Sequence, residues 1–213
     1  MKEEKIYISR KNKVILKKVD DQYMVFKHYS SHEECNTEYQ RYQDISQKGI
    51  KVPHVLRMHD TYMAFSWIDG ITALEYMEQN EQSDIFDALM WDEFAKWIID
   101  FLTKMGYLME DVNLRNYIFQ PQSRKVYGID FEGNIIQSKE AGIAGLLAYI
   151  KLYAPENSKW RGFLVDYLRG IFVKELRLSE ALLSEEEGKA VGEIRQRRIT
   201  KKTENRPVFL HTT

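Results

Sequence analysis

The stretch that decides the fold runs from Met109-Glu110-Asp111-Val112-Asn113-Leu114-Arg115-Asn116 to Gly128-Ile129-Asp130-Phe131-Glu132-Gly133. Two short apolar runs separated by a turn lie between these segments, which predicts a β-hairpin. Asn116 follows Asp111 by five residues, and Asp130 follows Asn116 by 14. Loops that flank one hairpin can meet at one point, so these three side chains can converge.

A group of two carboxylates and one amide suits phosphoryl transfer. One carboxylate can orient an attacking hydroxyl, while the amide oxygen and the second carboxylate hold Mg²⁺, which prefers hard oxygen ligands. The alternative is a polar turn in which Asp and Asn side chains cap backbone groups. The spacing taken alone leaves both interpretations open.

The composition predicts one compact domain. The chain has 213 residues, of which 44% are apolar and 30% charged, and its formal net charge is −1. We find no apolar run long enough to span a membrane and no secretory signal, and the net charge gives no general attraction to nucleic acid. Cys35 is the only cysteine, which excludes an intrachain disulfide and predicts a reducing, cytoplasmic location.

The secondary-structure pattern changes near residue 70. Before it, short β-branched and aromatic runs predict five antiparallel strands and one helix that begins near Ser31. The predicted strands are Lys5–Ser9, Lys13–Val19, Gln22–His28, Val52–His59 and Thr61–Ile68. After it, apolar residues recur every three or four positions, apart from the hairpin of Tyr117–Gln120 and Lys125–Ile129. The predicted helices are Thr72–Gln79, Asp84–Met105, Ser138–Tyr153 and Ser158–Leu183.

This arrangement resembles the protein-kinase-like fold, in its compact atypical and aminoglycoside-phosphotransferase-like branches. In that family a loop of the form H-x-D-x-x-x-x-N is followed, across a short hairpin, by two apolar residues and D-F-G. Residues 109–116 match the first motif and residues 128–132 the second. The resemblance implies that Asp111 is catalytic, and that Asn116 and Asp130 bind Mg²⁺.

The resemblance continues upstream of the catalytic loop. The strand that ends at Lys27 is similar to the V-A-I-K strand, which implies that Lys27 contacts the α- and β-phosphates of ATP. Glu38, on the next helix, lies where the partner glutamate is expected. Met63–Gly70 looks like the hinge, so Ser66 and Ile68 are expected to hold adenine through their backbone.

The chain also departs from the family pattern. Met109 replaces the histidine of the catalytic loop, and Glu132 replaces the glycine of D-F-G, where it either adds a carboxylate to the metal site or is solvated. No glycine precedes Gly49, although the family normally folds a glycine-rich turn over the phosphates. The Ser9 hydroxyl, backbone amides or a basic side chain would then cover them. A degenerate kinase that binds nucleotide without transferring phosphate is the alternative.

We therefore expect an α+β, two-lobed, protein-kinase-like domain over residues 1–183. The N-lobe spans about residues 1–65, with a five-stranded antiparallel sheet and one helix, and the hinge spans residues 66–70. The reduced, mostly helical C-lobe spans residues 71–183, and a basic C-terminal helix or tail covers residues 184–213. The expected activity is transfer of phosphate from ATP, with Mg²⁺, to a hydroxyl group.

The acceptor is expected to be a small hydroxylated molecule, because little chain after Asp130 is left for a peptide-binding segment. Arg115 lies between the catalytic and metal residues, and we expect it to contact the transferred phosphate or an anion on the substrate. The acidic stretch 69–93 would suit a cationic acceptor if it lines the cleft. A solvated helix face is the alternative.

The C-terminal stretch suggests a second kind of partner. Residues 189–206 hold seven Lys or Arg against two Glu. In length and basic tail the chain resembles the small kinase that works beside the tRNA threonylcarbamoyl-adenosine machinery. RNA or a protein could bind this tail, either in a kinase of that type or in a nucleotide-binding regulatory subunit, while a solvated helix face is again the alternative.

Overall fold

The chain folds as a mixed α+β structure in a computed structural model that describes residues 4–7, 12–154, 156 and 158–204. Side chains are described for residues 12–154, 156 and 158–200. Strands dominate up to residue 66, and helices dominate after it.

The N-terminal part is an antiparallel sheet with the strand order β1-β2-β3-β5-β4. The strands are β1 (Glu4–Tyr7), β2 (Lys13–Val19), β3 (Gln22–His28), β4 (Val55–His59) and β5 (Tyr62–Ser66). The central strand β3 places Lys27 opposite Val14 of β2 and Met63 of β5. The fourth strand begins three residues later than predicted, after Pro53, which has no N–H to donate to a ladder.

One helix, α1 (His32–Gln47), connects β3 to β4 in the chain and packs against this sheet. Its N-cap is Ser31, whose side chain accepts a hydrogen bond from Glu34 N, as the sequence predicts for a helix that begins here. Its buried face carries Cys35, Glu38, Tyr42 and Ile45. Glu38 is the only charged member of this face, which places one carboxylate between the helix and the sheet.

The C-terminal part contains five helices and three short antiparallel pairings among the described residues. The helices are α2 (Ala73–Gln82), α3 (Ala88–Met105), α4 (Lys139–Leu152), α5 (Lys159–Leu176) and α6 (Glu180–Glu204). The strands are β6 (Ile71–Thr72), β7 (Leu108–Met109), β8 (Tyr117–Gln120), β9 (Lys125–Gly128) and β10 (Ile135–Ile136), paired as β6-β8, β8-β9 and β7-β10. A search of the described residues finds no helix with the length and apolarity needed to cross a membrane.

The core of this part is built on α3, which lies against the β8-β9 hairpin. The side chain of Asp87 caps the helix by accepting from Met90 N, and Gly106 ends it with φ 78°, a left-handed conformation that glycine adopts without strain. Its buried face includes Trp91, Phe94 and Phe101. The loops of the candidate site precede β8 and follow β9 at the open end of this hairpin, so its packing on α3 positions both loops.

The predicted helix of residues 158–183 is wrong in one respect. The helix ends at Leu176 because Arg177 takes a left-handed conformation with φ 54°. A new helix begins at Glu180. Ser179 caps the new helix, since its hydroxyl accepts from Leu182 N at 3.4 Å. The basic C-terminal residues belong to this helix, which packs along α4 through the buried side chains of Leu152 and Ile194.

Candidate active site

The centre of the site is an ion pair between β3 and α1. Lys27 Nζ lies 3.1 Å and 2.8 Å from the two carboxylate oxygens of Glu38. Lys27 is 8% exposed and Glu38 is fully buried. Burial alone lowers the pKa of Lys27, but the charges of Glu38, Asp130 and Glu132 outweigh it and raise that pKa above its ordinary value. The lysine is therefore an ammonium ion held in place by carboxylates.

The second segment of the site is the loop that follows β9. Lys27 Nζ donates to Asp130 Oδ1 at 2.5 Å, so residues 103 positions apart in the sequence are in direct contact. Asp130 has φ 63°, a left-handed conformation that aspartate tolerates better than most residues. The backbone N–H of Asp130 donates to the Tyr42 hydroxyl at 3.2 Å. The backbone N–H of Phe131 donates to Glu38 Oε1 at 3.0 Å.

Arg41 is a third residue of α1 that holds this loop. Arg41 Nη1 donates to the carbonyl oxygens of Phe131 at 2.6 Å and Gly133 at 2.9 Å. Sequence reasoning missed Arg41 and Tyr42. The signal that would have found them is helical spacing, because positions three and four after Glu38 lie on the same side of the helix.

Glu132 joins the site rather than facing solvent. Its Oε2 lies 3.5 Å from Lys27 Nζ and accepts from Asn12 Nδ2 at 2.5 Å. Oxygens of Glu38, Asp130 and Glu132 all lie within 4.8 Å of one another, a separation that one metal ion can bridge. Three carboxylates around one ammonium leave the centre with a surplus of negative charge, which favours a bound cation.

The catalytic-loop residues form a second group at the same open end of the hairpin, where Tyr117 pairs with Gly128. Asp111 Oδ1 accepts from Asn113 Nδ2 at 2.6 Å, and Asn113 Oδ1 accepts from Arg115 N at 2.9 Å. Asn116 Nδ2 donates to the Asp111 carbonyl oxygen at 2.8 Å, which directs the amide oxygen away from the loop. Ile129 N donates to Asn116 O at 2.8 Å, so the two loops converge as their spacing predicts.

Comparison with known proteins gives one clear result. No protein-family model matches the chain, and no curated protein sequence matches it. Among solved structures 830 chains match, and one is the ethanolamine kinase of Plasmodium vivax, with a TM-score of 0.50 and 12% identity over 89% of this chain and 71% of that one. The chain has a protein-kinase-like fold. The resemblance drawn from the two motifs is thereby confirmed at the level of the fold.

The segment predicted to be the hinge joins β5 to β6. Ser66 N donates to the His54 carbonyl oxygen, and Ser66 Oγ accepts from His54 N, both at 2.9 Å. These two bonds use the backbone N–H and the hydroxyl oxygen of Ser66. Ile68 lies in the segment between β5 and β6, and its side chain is half-buried. Ser9, expected to cover the phosphates, lies outside the described residues.

Four of the eight acidic residues in the stretch 69–93 make hydrogen bonds or close ion pairs within the fold. Glu81 pairs with the buried Arg161 at 2.6 Å, and Asp92 accepts from the Tyr167 hydroxyl at 2.6 Å. Asp87 caps α3 and Glu75 completes the capping box of α2. The cationic acceptor that this stretch suggested therefore receives no support from these four residues.

The basic C-terminal stretch is likewise paired. Arg195 and Arg198 lie 3.0 Å and 3.3 Å from the carboxylate of Glu156, and Arg198 also donates to the Leu152 carbonyl oxygen at 2.6 Å. Side chains after residue 200 lie outside the described part. The contacts of these two arginines attach α6 to the end of α4 and give no support to an RNA or protein partner.

Proposed function

We propose that the chain is a phosphotransferase that moves the γ-phosphate of ATP, with Mg²⁺, to a hydroxyl group of a small molecule. The observation that carries the proposal is the position of Lys27, which is bonded at once to Glu38 of α1 and to Asp130 after the hairpin. Two regions that are distant in sequence are joined there beside the Asp111–Asn116 loop. The kinase-like fold supports a kinase-like activity in general.

Each polar residue of the site has a role in this proposal. Lys27 orients the α- and β-phosphates as a charged donor that is itself buried. Asn116 and Asp130 fit Mg²⁺, because an amide oxygen and a carboxylate are hard ligands and the centre carries surplus negative charge. The metal neutralises charge on the phosphates when bound. Ile68 and the neighbouring backbone of the hinge hold the adenine.

Asp111 acts on the acceptor. Its carboxylate orients the acceptor hydroxyl and accepts its proton, while the hydroxyl oxygen forms a bond to the γ-phosphorus. The bond from that phosphorus to the bridging oxygen breaks, and ADP leaves with the electron pair. Arg115, whose side chain is exposed beside this loop, stabilises the anionic groups that meet there.

The small size of the acceptor follows from what occupies the chain after the site. In protein kinases a peptide-binding segment follows the D-F-G motif. Here β10 and α4 fill that interval from Ile135 to Leu152, within a part of the chain that is fully described. A sugar or another small alcohol therefore fits better than a protein. We place the reaction in the cytoplasm, in keeping with the lone, buried thiol of Cys35.

One observation favours a second candidate, a degenerate kinase that binds nucleotide only. Lys27 is already surrounded by three carboxylates, and Glu132 is tied to Asn12 across the cleft. A phosphate group must compete with these contacts. The substitution Asp111→Asn separates the two candidates, because Asp111 acts on the acceptor and not on ATP.

The experiment measures Mg·ATP affinity and phosphate transfer for wild type and Asp111→Asn. We expect nearly unchanged affinity and a rate lower by about 10²–10⁴, the usual contribution of a general base. Slow ATP hydrolysis serves first, and sugars, amino alcohols and aminoglycosides are then screened for stimulation. Equal hydrolysis by both proteins, with no compound raising either rate, would favour the binding-only candidate.

A further inference from the structure

The catalytic loop is bordered on one side by two tyrosines at the end of α4. Tyr149 and Tyr153 are four residues apart, so they lie on the same side of the helix. The Tyr153 hydroxyl accepts from Leu114 N at 3.0 Å, inside the catalytic loop. This contact fixes the end of α4 next to the candidate base, and it places Tyr149 one turn further along the same surface.

Tyr149 lies between a negative and a positive charge. Burial raises its pKa, the Asp111 carboxylate raises it further, and Arg197 lowers it. The packing also places these residues together. Gly145, one turn before Tyr149, lies against the residue after Asp111, since its ideal Cβ position is 3.5 Å from Val112 Cγ2. Tyr149 itself packs against a cluster that includes Ile194, which is one turn before Arg197 on α6. Tyr149 is half-buried, and its hydroxyl makes no hydrogen bond within the described part of the chain. It is available to a ligand beside Asp111.

The α6 helix brings arginines to this surface, and they are not equivalent. Arg198 is used to attach α6, since it bonds to Leu152 O and to Glu156. Arg197 precedes it in the chain, and among the residues whose side chains are described its one ion pair is with Glu193 at 4.0 Å, with its own side chain 49% exposed. An exposed pair of this kind contributes little, so Arg197 can turn to a ligand at small cost.

Arg115 supplies a second cation from the catalytic loop itself. Arg115 follows Leu114, whose backbone N–H donates to the Tyr153 hydroxyl at 3.0 Å, and its charge lowers the pKa of Tyr153 against the larger effect of burial. Within residues 12–154, 156 and 158–200 its guanidinium makes no hydrogen bond or ion pair. The negative charge of Glu110 is also near Tyr149, but that carboxylate accepts from Asn134 Nδ2 at 2.9 Å.

We propose that the acceptor carries an anionic group, a carboxylate or a phosphate, which Arg115 and Arg197 bind while Tyr149 hydrogen-bonds a hydroxyl next to Asp111. The inference rests on the proposed phosphotransferase and names the chemical class of its acceptor. Guanidinium groups suit this task, because they offer several donors in one plane to a carboxylate or phosphate. The proposed site therefore prefers an anionic acceptor, whereas a site for an amino alcohol would prefer a cationic one.

The test uses acceptors that differ at one position, where a charged group replaces a neutral hydroxyl or hydroxymethyl group. D-glucose, D-glucuronate and D-glucosamine form one series, and glycerol and glycerol 3-phosphate form another. Each is assayed for transfer from Mg·ATP and for binding to the protein by calorimetry with Mg·ADP present. We expect the anionic member of each series to bind more tightly and to have the highest kcat/KM.

The substitution Arg197→Ala should raise the KM of the anionic acceptor by about tenfold to a hundredfold more than that of its uncharged counterpart, the usual effect of losing a charged hydrogen bond. Arg197→Lys should restore part of that difference, and Arg115→Ala should act in the same direction. Lys189→Ala is the control, because Lys189 is an exposed cation of the same helix that pairs with Glu185 and Glu186.

Three results would overturn the inference: tighter binding of the neutral or cationic members, an equal effect of Arg197→Ala on charged and uncharged acceptors, or no binding of any anionic compound. In each case the proposed phosphotransferase still stands if Mg·ATP binds and depends on Asp130. Absence of Mg·ATP binding would remove the proposed function and this inference together.

Discussion

The substitution Lys27→Met should destabilise the protein through the carboxylate that it leaves behind. Glu38 is fully buried, and Lys27 is its cationic partner. Methionine fills similar space without the charge, so Glu38 keeps its hydrogen bond from Phe131 N but has no counter-ion. Removing one partner of a buried ion pair typically costs about 3–5 kcal/mol of unfolding free energy.

Protonation of Glu38 limits that loss. Burial already raises the pKa of Glu38 above its ordinary value of 4.5, and Lys27 is the main opposing influence. Without Lys27 the carboxyl can take up a proton, which at about pH 7 requires about 3.5 kcal/mol, since each pH unit above 4.5 corresponds to about 1.4 kcal/mol. The whole domain is expected to have only about 5–15 kcal/mol of stability.

The sign of the pH dependence follows from the same shift. A folded state with a raised carboxyl pKa binds more protons than the unfolded state, so its stability falls as pH rises above 4.5. The deficit of Lys27→Met should therefore grow by about 1.4 kcal/mol per pH unit once the pH exceeds the raised pKa of Glu38 in the wild type, until it reaches the value for the charged carboxylate. The double substitution Lys27→Met with Glu38→Gln should recover most of the loss, because an amide oxygen still accepts from Phe131 N.

Urea unfolding followed by tryptophan fluorescence measures these differences between about pH 5 and pH 8. Lys18→Ala is the matched control: Lys18 pairs with Asp21 at 3.1 Å on the surface, and its loss should change stability by less than about 1 kcal/mol. A Lys27→Met protein within 1 kcal/mol of wild type at pH 7, or a deficit that does not change with pH, would refute the reasoning.

Two further predictions test the metal site and the packing of the hairpin. Asp130→Asn should lower Mg²⁺-dependent nucleotide affinity at least about tenfold, since a neutral amide replaces a charged ligand; titration with and without Mg²⁺ measures this, and full Mg²⁺ dependence in the variant would place the metal elsewhere. Gly128→Ala should lower stability by about 1–3 kcal/mol, because its Cβ would lie 2.3 Å from Trp97 Cζ2. Gly162→Ala, with no atom within 4 Å of the new Cβ, should raise stability by about 0.5–1 kcal/mol in the same thermal melts, and equal melting of the two variants would contradict this packing.

Local patterns in the sequence were enough to predict the elements that carry the site. The strand Gln22–His28 and the hairpin strand Tyr117–Gln120 have the predicted bounds, because alternation and turn residues act over a few positions. The break at Arg177 was missed, since arginine gives no signal for a left-handed conformation. Periodicity continued across it, and one long helix was predicted instead of two.

The contacts between distant segments were the least predictable part. The pair of Lys27 and Glu38 followed from the family resemblance, but the bond from Asn12 to Glu132 joins positions 120 residues apart. Nothing in either local sequence indicates the other. The same holds for Arg41, whose role depends on a loop that lies about 90 residues away and is visible only when both are placed in the fold.

The loop of residues 130–133 is attached to the N-terminal part of the protein by four hydrogen bonds from or to α1, through Glu38, Arg41 and Tyr42. On either side it is attached to the C-terminal part, by Ile129 N to Asn116 O and by Glu110 N to Asn134 O. The loop is therefore a short tether between the two halves. Any rotation that separates the two halves must either break the contacts with α1 or carry Asp130 away from Asn116. In the second case the two proposed Mg²⁺ ligands would move apart as the halves separate.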